Sequence, residues 1–238
     1  MDLHKPRPWH GVREFLKEYL IIVVGVLTAL AAEQAVEKLR ERAAAGEARE
    51  AIRRELALNL AYLRSRGALE SCLERRFGEV QAILDQAKPD GGFPRPGWVG
   101  RPQYWSLETM RWDAAAQSGR AALLPPDETA HYSSLYTQLR IAAAEMATEQ
   151  GDWAKLRTLE TQPRLPPQGV YDLGLVLNDA RYRAWRIALI TRQELDEAGP
   201  MGLPQATNGN PLSQSICVPI SASRAEGERL SRFPFGEP

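Results

Sequence analysis

The side chains able to do chemistry are few and scattered. His4, His10 and His131 are the three histidines, too few for most metal or acid–base clusters, which gather several imidazoles and carboxylates. His131 completes the pattern Glu128-x-x-His131, which in a four-helix bundle is one part of a di-iron carboxylate site. The second Glu-x-x-His is missing, and two cations need facing carboxylates from several helices. The pair therefore reads as polarity at a helix start, where an acid complements the dipole. Glu145 and Glu149 share a helix face and Asp152 follows; acids one turn apart are common on wet surfaces, and these are expected there. The sequence holds no phosphate-binding loop, dinucleotide glycine pattern, nucleophile elbow or zinc-type cysteine spacing. The expectation is a non-enzyme with no catalytic residue, no metal and no cofactor.

Cys72 and Cys217 are the only cysteines. In an oxidising compartment they could join the tail to the first long helix, closing a loop that constrains the unfolded chain by roughly 4 to 5 kcal/mol. Two separate buried thiols fit the same spacing, because sequence distance alone does not show proximity.

The elements that must position these residues begin with an apolar stretch. Tyr19, Leu20, Ile21, Ile22, Val23, Val24, Gly25, Val26, Leu27, Thr28, Ala29 and Leu30, with Ala31 and Ala32, carry no charge. A helix rises about 1.5 Å per residue and a bilayer core of about 30 Å needs roughly 20 residues, so this run alone is short. Extended over residues 15–36 it is long enough, with Lys17, Glu18 and Glu33 in the headgroup zone. Lys5, Arg7, Arg13 and Lys17 precede it, and a basic flank is held on the cytoplasmic side. The expected order is a cytoplasmic leader at 1–14, a transmembrane helix at 15–36, a periplasmic bundle at 37–198 and an extended or disordered tail at 199–238. Gly25 and Ala29 make a small-xxx-small pair that would let two spans approach closely. Two other readings stay open: Ala29-Leu30-Ala31 has the form of a signal-peptidase site, and a run of this length also suits the core helix of a soluble protein.

Glu14-Phe-Leu-Lys-Glu-Tyr-Leu-Ile-Ile-Val-Val-Gly-Val-Leu-Thr-Ala-Leu-Ala-Ala-Glu-Gln34 resembles the opening of a large group of bacterial single-span membrane proteins built around a domain of unknown function. A weaker likeness runs from Trp112 to Gly119. The resemblance implies one span and a helical domain, and supplies no catalytic residues.

The rest of the chain points to an all-α fold. In this reading the transmembrane helix continues into a long helix to about Ala87, packing with two or three further helices as an antiparallel bundle or coiled coil. Ile52, Leu56, Leu60, Leu63, Leu69, Leu73, Phe77, Val80 and Leu84 recur at spacings of four and three, the mark of an apolar helix stripe, with Gly46 and Gly67 as candidate kinks. The Gly/Pro-rich stretch from Pro89 to Pro102 must be a loop, with Trp98, Tyr104 and Trp105 expected to fold back over the bundle end. Ser106 is expected to cap a short helix ending at Ser118-Gly119. Pro125-Pro126-Asp127-Glu128 starts the next helix, whose Leu135, Leu139, Ala142, Met146, Trp153 and Leu156 are near-heptad. A last helix carries Val170, Leu173, Leu177, Ala180, Ala184, Ala188 and Leu195, with Tyr171, Tyr182 and Trp185 expected in the core or at the bundle rim.

Equal numbers of basic and acidic residues, 30 each, leave no electrostatic reason for a nucleic-acid partner. The leading expectation is a membrane-tethered helical interaction or assembly module of the bacterial inner membrane. Its partners would be the lipid bilayer and either a second copy or another envelope protein. The alternative is a periplasmic sensor holding a small molecule near Trp112, Tyr136, Trp153 and Trp185; a third is a soluble helical protein with Tyr19–Ala32 as core.

Overall fold

A computed structural model describes residues 11–207 and 215–231. His4, His10 and the leader residues Lys5, Arg7 and Trp9 lie outside them. All regular structure in the described residues is helical: α1 Val12–Gly67, α2 Glu70–Asp85, α3 Met110–Gln117, α4 Pro126–Leu156, α5 Pro167–Ala198 and α6 Arg224–Ser231, with short 3₁₀ turns between them. The chain divides into two units, Met1–Glu47 and Ala48–Pro238.

The described part of the first unit is helix alone. Gly11 O accepts from the backbone N–H groups of Glu14 and Phe15, which starts α1 with Glu14 in its first turn. The Thr28 hydroxyl donates to Val24 O at 2.7 Å, so this polar side chain of the apolar run is satisfied within its own helix.

The second unit is a packed bundle. Its stretch of α1 buries Ile52, Leu56, Leu60 and Leu63; α2 buries Leu73, Phe77, Val80 and Leu84; α4 buries Leu135, Leu139, Ala142, Met146, Trp153 and Leu156. Cross-helix contacts set the directions. Arg49 meets Glu128 and Arg66 meets Glu149, so α4 runs parallel to α1 here. Arg183 meets Glu145 and Asp152 while Glu197 faces His131, so α5 runs back antiparallel to α4.

Three expectations change. The first helix stops at Gly67 rather than near Ala87, although it passes unbroken through Gly46. Ala68 and Leu69 form a turn, glycine being a poor helix residue; beyond it Leu69, Leu73 and Phe77 join the same buried cluster as Trp153 and Leu177. Ser106 does not cap α3, which starts at Met110 behind Thr109, whose hydroxyl bonds Asp113 at 2.7 Å. The loop before it is held instead by buried Asn59, whose side chain exchanges two hydrogen bonds with the Glu108 backbone at 2.7 and 2.9 Å.

The third change is the tail, expected to be extended or disordered, which contains helical turns. A 3₁₀ turn at Ser215–Cys217 and helix α6 dock on α2 and the 97–101 loop. Gly97 and Trp98 donate backbone hydrogen bonds to Ile220 O at 2.9 and 3.0 Å, and the Trp98 indole donates to Ser215 O at 2.9 Å. A side chain at Gly97 would strike the Ala222 carbonyl, and one at Gly227 would strike the Trp98 ring.

Cys72 and Cys217 are joined in a disulfide across 145 residues, with Cα atoms 4.9 Å apart. A loop of that length removes about 5 kcal/mol of unfolded-chain entropy. Replacing both cysteines by serine is expected to cost about 3 to 5 kcal/mol in denaturant unfolding, with amides of 215–231 losing hydrogen-exchange protection before those of α4.

Candidate functional site

The apolar residues Tyr19 to Leu30 all lie in α1. An 18-residue apolar stretch of this helix has none of its residues buried among the described residues. Gly25 and Ala29 stand one turn apart, and among the described residues nothing beyond its own stretch of helix lies within 4 Å of a Cβ placed on Gly25. The helix is long and apolar enough to cross a membrane.

The acids expected on a wet surface are buried instead. Glu145, Glu149 and Asp152 project from α4 into the contact with α1 and α5. Arg66 and Glu149 pair at 2.7 Å with side chains only 5% and 1% exposed. Arg183 bridges Glu145 at 3.0 Å and Asp152 at 2.9 Å, and Arg186 adds a 2.6 Å contact to Glu145. Removal from water drives the burial cost, and the arginines answer it. At Glu149 burial pushes the carboxyl pKa above its usual value, against the pull of Arg66. At Arg183 burial works against the charge, but Asp152 and Glu145 raise the guanidinium overall. All three carboxylates are held in ion pairs with arginines.

Glu128 and His131 also part company. Glu128 accepts from Arg49 at 2.8 and 3.0 Å and from the Tyr132 hydroxyl at 2.9 Å. Burial raises its pKa, but Arg49 and Tyr132 outweigh that and hold it below the usual range. His131 points to Glu197 on α5 at 3.6 Å. Among the described residues no three His, Cys, Asp or Glu side chains gather with metal-binding geometry.

A second buried arginine organises the bundle end. Arg76 has no exposure; its guanidinium donates to Glu79 at 2.7 Å, to the carbonyls of Trp98, at 2.9 Å, and Val99, and to the carbonyl of Val218. Burial lowers its pKa despite Glu79. Glu160 receives the Val99 N–H at 2.9 Å, and Arg157 lies over the Trp98 ring, 5.3 Å from its centroid. Trp98 and Trp105 are buried at this end, whereas Tyr104 stays exposed.

Glu194 on α5 is the one carboxylate left unanswered among the buried acids described here. It has no exposure, and neither oxygen has a hydrogen-bond partner. Burial, with Glu197 nearby, pushes its pKa up to about 8. A neutral carboxyl is the natural state of such a group near neutral pH.

The four rings proposed to surround a ligand do not share a pocket. Trp112 stacks on Tyr136 at 5.6 Å and Trp153 on Phe77 at 5.4 Å, filling their own surroundings. Trp185 is outside the core altogether, with Tyr171 and Tyr182, all more than half exposed. The core face of α5 is Leu177, Ala180, Ile187, Ile190 and Ala198, which turns these aromatics to the opposite side. A hollow of about 400 Å³ lies elsewhere, lined among others by Ala57, Leu60, Arg64, Leu195 and Pro204.

Compared with protein-family models, curated proteins and solved structures, the chain matches none of them.

Two measurements test the buried charges. Glu149→Ala strands Arg66 and is expected to cost about 3 to 5 kcal/mol in denaturant unfolding, whereas Arg66→Met with Glu149→Leu costs far less. Glu194, with its folded pKa above its unfolded one, keeps a proton in the folded chain that the unfolded chain releases. Its contribution is therefore full below the unfolded value of about 4.3 and is lost as pH rises to about 8. Glu194→Gln should flatten that decline and be the more stable chain at pH 8; an unchanged pH profile would show that the carboxyl reaches water.

Proposed function

We propose that this protein is a membrane-tethered helical interaction module. Residues 15–36 form a single span, the amino terminus faces the cytoplasm, and the bundle stands in the periplasm of a bacterial cell. The observation that carries the reading is the fully unburied apolar window of α1. Exposing that much hydrocarbon to water is strongly unfavourable, and a bilayer removes the cost.

Other features support it. Lys and Arg before the span favour a cytoplasmic start. A disulfide between the chain's two cysteines suits an oxidising compartment. The likeness of Glu14–Gln34 to the anchors of bacterial single-span proteins agrees with both. The bundle interior is committed to packing and ion pairs, which favours work at its surface over catalysis within it. A ligand-sensing role is the second reading, favoured by the 400 Å³ hollow beside Arg64, a volume within the range of small-molecule sites.

The test is a periplasm-active reporter fused after Pro238, combined with an alkaline wash of membranes. An active reporter on a full-length chain that stays with the membrane is the expected result. A shortened chain released by the wash would mean a cleaved leader, and a full-length released chain with a silent reporter would return the protein to the cytoplasm.

A further inference from the structure

One apolar face of α1 does not end with the span. Ala29, Ala32, Val36, Leu39, Ala43 and Gly46 recur at alternating spacings of three and four, the a/d pattern of a coiled coil. The same stripe starts inside the span, at Ile22 and Gly25. Past residue 36 the other sides of the helix carry Glu37, Lys38, Arg40, Glu41 and Arg42, which hold this stretch in water rather than in lipid. Val36 and Leu39 are nevertheless 47% and 63% exposed. Among the described residues, nothing beyond its own stretch of helix lies within 4 Å of a Cβ placed on Gly46. The stripe is thus apolar, continuous and uncovered by its own chain.

The residue types and the charges beside the stripe indicate what covers it. Val36 falls on an a position and Leu39 on the following d position, the combination of β-branched a and Leu d that favours two parallel strands. Arg42 then occupies a g position and Glu47 the e position of the next heptad. In a parallel pair these two meet across the seam, once on each side. Both are exposed, and among the described residues neither has an ion-pair partner in its own chain. The other crossings of this kind, Thr28 with Glu33 and Ala35 with Arg40, set no like charges together. Two copies tethered in one bilayer rise from it in the same direction, which is the orientation these pairs require.

We propose that this stripe is a self-association seam along which α1 pairs in parallel with α1 of a second copy, with Arg42 of each chain against Glu47 of the other. The inference rests on the tether for its orientation and deepens the interaction reading by naming the partner.

The test places one new cysteine in the full-length chain and applies mild oxidation to intact membranes. Leu39→Cys, at a position where parallel strands touch, is expected to give at least tenfold more linked dimer than Glu41→Cys, which lies on the opposite side of the helix. Cys72 and Cys217 are already joined to each other, and the unsubstituted chain serves as the background. Arg42→Glu added to Leu39→Cys sets an acid against Glu47 and should lower the link at least fivefold with an unchanged melting curve. Adding Glu47→Arg to the same chain should restore it, an effect no contact within one helix explains, because residues five apart do not face each other. Equal linking from positions 39 and 41, a link unmoved by Arg42→Glu, or a link to a different protein in place of a second copy would overturn the seam. A chain that survives the alkaline wash but gives no link overturns the seam alone; a chain released by the wash overturns the tether, and the shared orientation with it.

Discussion

A guanidinium shut away from water must find acceptors for its donors inside the protein, and this constraint governs the bundle end. Arg76 meets it with Glu79 and with backbone carbonyls from two segments distant in sequence, around Trp98 and Val218. Those carbonyls lie in irregular chain, where no ladder of backbone partners is available, so the arginine supplies donors that secondary structure cannot. The loop and the carboxy-terminal segment therefore adopt a defined path over α2. The small residues Gly97 and Gly227 are required there because the two segments pass too close for side chains.

The same constraint acts along the bundle axis. Arg66 with Glu149, and Arg183 between Glu145 and Asp152, form a charged layer among Leu, Ile and aromatic side chains. Apolar contacts alone would tolerate a slide of one helix turn, about 5.4 Å. A slide of α4 against α1 would part Arg66 from Glu149 and leave both charges buried and unanswered. The ion pairs thus fix register, a job for which leucines are poorly suited. Glu194 stands outside this logic: it sits on a core position and has no partner, which leaves protonation as its route to neutrality.

Much of the architecture is legible in residue spacing. The apolar stripes from Ile52 to Leu84 and from Leu135 to Leu156 are buried at every position named for them, because a continuous apolar face has nowhere else to go. Among polar residues, Glu145, Glu149 and Asp152, expected on a wet surface, are buried. Asn59, Arg66, Arg76, Glu149 and Glu194 all fall on the heptad positions of their helices, in the gaps between apolar neighbours such as Met146 and Trp153. Position, not polarity, places them inside. The converse holds on α5, where Tyr171, Tyr182 and Trp185, expected in the core or at the bundle rim, are exposed because their register sets them opposite Leu177 and Ile187. Two features had no local signal: the break after Gly67, which tertiary packing decides, and the docking of residues 215–231, which depends on a bond and hydrogen-bond partners more than a hundred residues away.

The bridge between Cys72 and Cys217 has a topological meaning beyond stability. It turns most of the bundle into a covalent ring, with α1 attached at one side and the carboxy-terminal segment at the other. A protease that cuts the backbone once anywhere inside that ring opens it without separating the chain into two pieces. Nicked protein would stay fastened to α1, and only a second cut or a reductant would set a fragment free.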